Sequence, residues 1–334
     1  MAGVKVPLQI VIDESGVKWV IEADGRRRHW YPSNWIALDF MEDGNNEDPH
    51  PYISGFLAQP WLKNVRSNPN WRSVLNHSHL KKEVTESWGV VLRLQRLVNE
   101  QLQKGNKVTI FDMCSGKGLT GSCVAGLFPN VRVRLMDRNP KMKMFHLKDL
   151  PNADWTRLDF RDQEGLKNWI REGLGMSPVD PQQTESAWAL RSGQTQRWKA
   201  KHQKQAMTSL IPAESGSLES NASAVATPEQ APVVGIIVGV HLCGPLAEQF
   251  IELFNSEPNL ISMILCPCCL PGQKGSRVVE KSQKLERVVS GYVFWSLHLL
   301  MSVRKDFRRT METDELVESE KNCFILSSKQ PPSH

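Results

Sequence analysis

A doubly wound α/β sheet is the fold class this sequence predicts, and three observations carry it. Short apolar runs alternate with helix-length segments from Val108 to Asp159, a Gly-rich turn follows the first run, and three successive runs end on an acid, at Asp112, Asp137 and Asp159. Strand–helix–strand units of this length pair in parallel through right-handed crossovers. In such sheets ligands bind beyond the carboxyl ends of the strands.

Residues 1–75 read as a Trp-rich accessory region (Trp19, Trp30, Trp35, Trp61, Trp71). Within it, Leu8–Ile12 and Val17–Ile21 flank the turn signal Asp13-Glu-Ser-Gly16 and form a β-hairpin. The tryptophans are expected to fill a small core. From Leu80 to Gln103, Val84, Trp88, Val91, Leu94, Val98 and Leu102 recur every three or four positions, an amphipathic helix. The domain that bears the site is placed at 76–334.

Val108–Asp112 is the first strand of that domain, and Leu119–Phe128 is a helix whose Gly121, Ser122, Ala125 and Gly126 permit close packing. Val131–Asp137 is the second strand, Pro140–Leu150 a second helix and Trp155–Asp159 a third strand. A low-complexity insertion at 174–231, rich in Pro, Gln, Ser, Thr and Ala, then interrupts the rhythm. Val233–Val240 and Leu260–Leu265 are the fourth and fifth strands, and Leu285–Val303 is a long helix. Arg304–Met311 and Asn322–Ser327 close the sheet as a hairpin around a polar loop.

With 334 residues and 40% hydrophobic content the chain has the composition of an ordinary globular protein. No apolar run reaches membrane-spanning length and Met1–Pro7 lacks the core of a signal peptide, so an intracellular protein, in the cytoplasm, the nucleus or an organelle, with no membrane partner is expected. Seven cysteines, with the cluster Cys266-Pro-Cys268-Cys269, suit reduced thiols better than a disulfide framework. The net charge of +5 is mild, but Lys274, Arg277, Lys281, Lys284 and Arg287, then Arg304, Lys305, Arg308 and Arg309, make the C-terminal third locally basic. That pattern fits a solvated helix face or a surface turned to nucleic acid.

The turn after the first strand admits two cofactors. Gly116-x-Gly118-x-x-Gly121 matches the dinucleotide fingerprint of NAD(P)-dependent oxidoreductases. A pyrophosphate there would face the Asp112 carboxylate, which repels it. S-adenosylmethionine (SAM) brings a sulfonium and an ammonium instead. A carboxylate about 6 Å from one of these, at an effective dielectric of about 20, is worth roughly 3 kcal/mol of attraction. The P-loop reading fails, because Gly118 stands where Ser or Thr must follow Lys117.

Asp112-Met-Cys-Ser-Gly-Lys-Gly118, His241-Leu-Cys-Gly244 after the fourth strand and Cys268-Cys269 after the fifth together resemble class I SAM-dependent methyltransferases. Within that class they are similar to a branch that includes tRNA ribose methyltransferases. The resemblance runs from about Trp88 to Lys329 and leaves out the insertion. It implies a Rossmann-like sheet of seven strands, mostly parallel, with an antiparallel last strand, and SAM as cofactor. Carried over by position, Asp112, Met113, Cys114, Ser115, Gly116, Lys117 and Gly118 would hold the methionine end. Asp137 would bind the ribose, Arg138 would lie beside the adenine, and Asp159 with Phe160 would meet the adenine N6 and ring. Members of the class usually have Gly where this chain has Cys114.

His241, at the end of the fourth strand, is in place to take a proton from a nucleophile or to orient the methionine tail. No Asn/Asp-Pro-Pro-aromatic tetrapeptide stands there, which lowers exocyclic amines and glutamine amides as acceptors. Cys268 and Cys269 carry three readings: a nucleophile, a metal site shared with Cys243, Cys266 and His241, or small thiols lining a turn at the substrate mouth. The last leads, and no metal is expected. The sequence thus points to a SAM-dependent methyltransferase whose acceptor is RNA first and a protein side chain second. A binding protein that keeps the fold without catalysis is the reading from another class.

Overall fold

A computed structural model describes residues 9–12, 18–21, 27–29, 50–77, 79–177, 231–268, 290–319 and 321–329. Near the N-terminus, β1 (Gln9–Ile12), β2 (Lys18–Ile21) and β3 (Arg27–His29) form an antiparallel three-stranded sheet, one strand more than the expected hairpin.

The main sheet has seven strands: β4 (Lys107–Met113), β5 (Arg132–Asp137), β6 (Ala153–Arg157), β7 (Val233–Leu242), β8 (Leu260–Pro267), β9 (Arg308–Thr313) and β10 (Cys323–Ser328). Their order is β6-β5-β4-β7-β8-β10-β9. Pairings from β6 to β8 are parallel, whereas β10 runs antiparallel to both β8 and β9. This is the Rossmann-like sheet of seven strands with an antiparallel last strand. A purely parallel dinucleotide sheet has no such inserted strand. The chain builds outward from β4 to β6 and then returns to β7 beside β4, so the topological switch point lies between the carboxyl ends of β4 and β7.

Alternation along β4 sorts its side chains between two cores. Val108 and Ile110 join the face covered by α1 (Pro51–Leu57), α2 (Pro60–Val65), α3 (Arg72–Leu75), α4 (Leu80–Gln103) and α5 (Leu119–Leu127). Phe111 and Met113 join the other, covered by α6 (Gln163–Gly173), α7 (Pro245–Ser256) and α8 (Gly291–Ser302). Helix α6 starts where the Asp162 carboxylate accepts from the Gly165 N–H, and its Leu166, Trp169 and Ile170 are buried.

Two expectations need correction. Residues 50–75 are no separate core: Tyr52, Phe56, Leu62, Trp71 and Leu75 belong to the same cluster as Val84, Trp88 and Ile110, so no boundary between cores falls at 75/76. Asp314, in the polar loop after β9, is 7% exposed. It accepts from Tyr52 Oη at 2.6 Å and from Arg93 at 2.9 Å, and so ties α1, α4 and the last hairpin together. The helix expected over Pro140–Leu150 is only a 3₁₀ turn at Phe145–Asp149. There the side chains of Asp137 and Asn139 accept the Asn139 and Lys141 N–H groups in successive local turns, which compete with a helix. Of the 174–231 insertion, 178–230 lie outside the described residues, as do Lys274, Arg277, Lys281, Lys284 and Arg287.

Candidate functional site

A cavity of about 610 Å³ opens at the switch point, within the range of small-molecule sites. Asp112, Cys114, Ser115, Gly116 and Lys117 line it from the β4 turn, Val240 and His241 from β7, and Lys82, Glu83, Glu86 and Ser87 from α4. Sequence reasoning named two of these three walls. It missed the α4 wall, because Glu86 sits inside an apolar helix face that reads as plain core.

Asp112 ends the core-facing side of β4 and is 2% exposed. Its Oδ2 accepts from the Gly121 N–H at 2.9 Å, the third residue of α5. The carboxylate therefore occupies the helix N-terminus where a phosphate would otherwise be held. Gly121 is required for this approach: a Cβ there would stand 2.6 Å from Leu135 Cδ2 and 2.9 Å from Asp112 Oδ2. Burial dominates over that single hydrogen bond, and nearby Asp137 adds to it, so the Asp112 carboxyl is pushed up to about 7. Among the described residues no cation pairs with it.

The other walls turn on two strained residues. Cys114 has φ 57° and His241 φ 60°, both left-handed and neither a glycine. Cys114 takes the conformation that a glycine adopts easily, and the turn closes with the Ser115 N–H on the Met136 carbonyl at 2.8 Å. Burial and the surrounding carboxylates push the Cys114 thiol up to about 12, so it is a neutral wall. At His241 the register of β7 against β8 slips between Val240 and Leu242, a bulge that re-aims the side chain.

His241 Nε2 lies 2.7 Å from Glu86 Oε2 and 3.1 Å from Lys82 Nζ, and Lys82 Nζ is 2.7 Å from Glu86 Oε1. Glu86 is 1% exposed. Burial alone would push its carboxyl up, but the hydrogen bonds and charges of His241 and Lys82 together outweigh it and hold the group below the ordinary carboxylate value.

The remaining site residues fall into distinct places. Asp137 ends β5 with Oδ2 accepting from the Gly116 N–H at 3.1 Å, so it braces the turn from beside the cavity. Asp159 is paired with Arg161 at 2.7 Å, and that guanidinium holds its carboxyl well below the usual range. Arg138 is exposed, and Gly118 caps α5 at φ 78°. Met113 and Phe160 need correction as site side chains. Both are buried in the core on the far face of the sheet, so Met113 offers only its backbone and Phe160 has no ring face open to the cavity.

Because β7 and β8 are parallel neighbours that end side by side, Cys243 and Cys268 come together, Cα atoms 5.5 Å apart. Of the cluster expected from spacing, Cys268 thus stands beside Cys243 at the strand ends. Cys266 is fully buried and burial pushes its thiol up. Cys269 lies outside the described residues. Among the described residues, no three of His, Cys, Asp and Glu converge as a metal ion would require.

No protein-family model matches the sequence, and no curated protein matches it. Among solved structures the chain is similar to a chain of a fibrillarin/Nop5p complex (9% identity, 68% of this chain and 73% of that one, TM-score 0.36). It is also similar to the antibiotic-resistance methyltransferase Kmr (9% identity, 68% and 89%, TM-score 0.32). The plantazolicin methyltransferase BpumL, in complex with SAH, is a third (10% identity, 83% and 93%, TM-score 0.34). At these scores the fold assignment rests on the strand order itself.

Proposed function

We propose that this chain is a SAM-dependent methyltransferase that binds its cofactor against the β4 turn of the cavity, with RNA as the first acceptor class and a protein side chain as the second. One observation carries the cofactor reading: Asp112 is a buried acid with no cation paired to it among the described residues, set on the α5 N-terminus at the floor of the cavity. A cationic ligand relieves that burial, whereas a dinucleotide pyrophosphate adds a second anion.

The residues present fit SAM. Ser115 Oγ is buried at the cavity wall with no hydrogen-bond partner, a polar atom left for a ligand. A Cβ at Gly116 would meet nothing within 4 Å, so the turn leaves an open cradle. Asp112 and the Cys114–Lys117 backbone would hold the methionine end. Asp137 would turn toward the ribose, while Arg138 and Asp159 would flank the adenine. When bound, SAM supplies a methyl group on a sulfonium, already a good leaving group. The chain's own work is to align the acceptor with that methyl and exclude water.

Cations around the mouth support RNA. Lys117 lines the cavity, and Arg138, Lys141 and Lys143 are exposed beside the lining Met142. Similarity of the sequence motifs to tRNA-modifying enzymes points the same way, toward an intracellular role in RNA modification.

Incubation of the full chain with methyl-labelled SAM and fractionated RNA and protein from the source cell tests this reading. Label in RNA is expected. Label only in protein shifts the acceptor to a side chain, and label in neither, despite SAM binding, refutes both macromolecular acceptors.

A further inference from the structure

We infer that Lys82, Glu86 and His241 form one proton-accepting unit at the acceptor end of the cavity, with His241 as the base and Glu86 and Lys82 as positioning residues. The inference rests on the methyltransferase reading above and adds that the acceptor atom carries a hydrogen, which it gives up as it takes the methyl.

Hydrogen-bond chemistry sets the assignment. An imidazole nitrogen offers one N–H or one in-plane lone pair, so Nε2 cannot both donate to Glu86 at 2.7 Å and accept from Lys82 at 3.1 Å. Glu86 is charged and acceptor-only, and Lys82 already has Glu86 Oε1 at 2.7 Å. The pairing that satisfies all three puts a proton on Nε2 toward Glu86, lets Lys82 neutralise the same carboxylate, and leaves the lone pair on Nδ1. Lys82 thus keeps a buried carboxylate ionised at a wall where no other described cation touches it. Without Glu86, Lys82 would be the remaining partner of Nε2, and its ammonium would drive the proton to Nδ1 and remove the base.

Groups facing His241 come from every neighbouring element. Lys82, Glu83 and Glu86 come from α4, with His77 paired to Glu83 at 3.3 Å. Asp112 and Lys117 stand across the cavity. The Cys243 and Cys268 sulfurs lie 3.4 and 3.5 Å from the His241 carbonyl oxygen, and Cys266 is buried in β8 beside Glu86. The bulge and the left-handed backbone hold the ring at this junction, a constraint that a merely structural histidine does not need.

In the step itself, the acceptor's bond to hydrogen breaks as its bond to the methyl carbon forms. The carbon–sulfur electron pair stays with sulfur. The proton passes to Nδ1, and Glu86 meets the imidazolium charge until solvent takes the proton away.

Nitrogen-15 NMR of the full chain reads the His241 tautomer without any turnover. The Nε2–H form is expected in the wild type and the Nδ1–H form in Glu86→Gln; an Nδ1–H wild type, which needs no variant to fold, overturns the inference. Calorimetry and methyl transfer to RNA are measured alongside. His241→Ala and Glu86→Gln are expected to bind SAM within about threefold of wild type. Transfer falls roughly 100-fold or more in both, in kcat rather than KM. Loss of SAM affinity in His241→Ala, with kcat retained, would make His241 a cofactor-orienting residue and overturn the base. Failure of the wild type to bind SAM refutes the methyltransferase reading instead, whatever the tautomer.

Discussion

Two carboxylates stand in one cavity, both almost wholly buried, and their surroundings push them in opposite directions. Asp112 has one backbone N–H for company, and burial carries its carboxyl up to about 7. Glu86 has a lysine and a histidine within 2.7 Å, and these overcome the same burial. Burial sets the size of the penalty and the partners set its sign. In the proposed reading, the acid that already has its cations serves the chemistry, and the acid with none among the described residues receives the cationic ligand.

The largest effect that tests this contrast is on binding. Asp112→Asn is expected to weaken SAM by on the order of 100-fold, about 3 kcal/mol, as judged by calorimetry; unchanged affinity would remove Asp112 from the site. The same substitution acts oppositely on stability. A carboxyl whose folded value is raised contributes stability that is fully present below its unfolded value, about 3.9, and lost as the pH rises to about 7. Asp112→Asn should therefore melt higher than wild type at pH 8, by on the order of 2–4 kcal/mol, and level with it near pH 4.

Gly121→Ala comes next, because its methyl would press on Leu135 and on the Asp112 carboxylate itself. A loss of about 2–3 kcal/mol in chemical denaturation is expected, together with weakened SAM binding. A neutral outcome would show that α5 can slide away from β4.

Glu86→Gln should break the symmetry of the comparison. A carboxyl whose folded value is lowered contributes stability above its unfolded value, about 4.3, and loses it as the pH falls through the folded one. The variant should lose about 2 kcal/mol at pH 7, with the difference closing in acid. An Asp112→Asn and a Glu86→Gln that shift melting in the same direction at pH 8 would contradict the contrast.

Smallest is Cys114→Gly. Relief of a left-handed backbone, less the extra entropy of glycine, is expected to add about 0.5–1 kcal/mol. A destabilised variant would mean that Cys114 Sγ packing outweighs its strain.

Legibility followed the range of the interactions. The central strands β4, β5, β7 and β8 were readable because they carry local apolar runs, and the β4 turn because its glycines and acid lie close together in sequence. The α4 wall was not, since Lys82 and Glu86 meet His241 only after β7 docks beside β4, more than 150 residues later in the chain. The approach of Cys243 to Cys268 depends likewise on two strand ends that adjoin in space. Residues 50–75 seemed separate because their tryptophans lack a period, yet Trp71 and Phe56 close the core over α4. Phe160 was misplaced because it lies in the turn after β6, where no period tells which way a side chain points, and its ring packs into the core.

The most direct test of the central claim, that Asp112 waits for a cationic ligand, is SAM titration by calorimetry near pH 7 in buffers of differing ionisation heat. Binding should hold the Asp112 carboxylate ionised and release a proton, with NAD(H) inert and the release absent in Asp112→Asn. Binding of NAD(H) in preference to SAM, or SAM binding whose proton release is the same in wild type and Asp112→Asn, would contradict it.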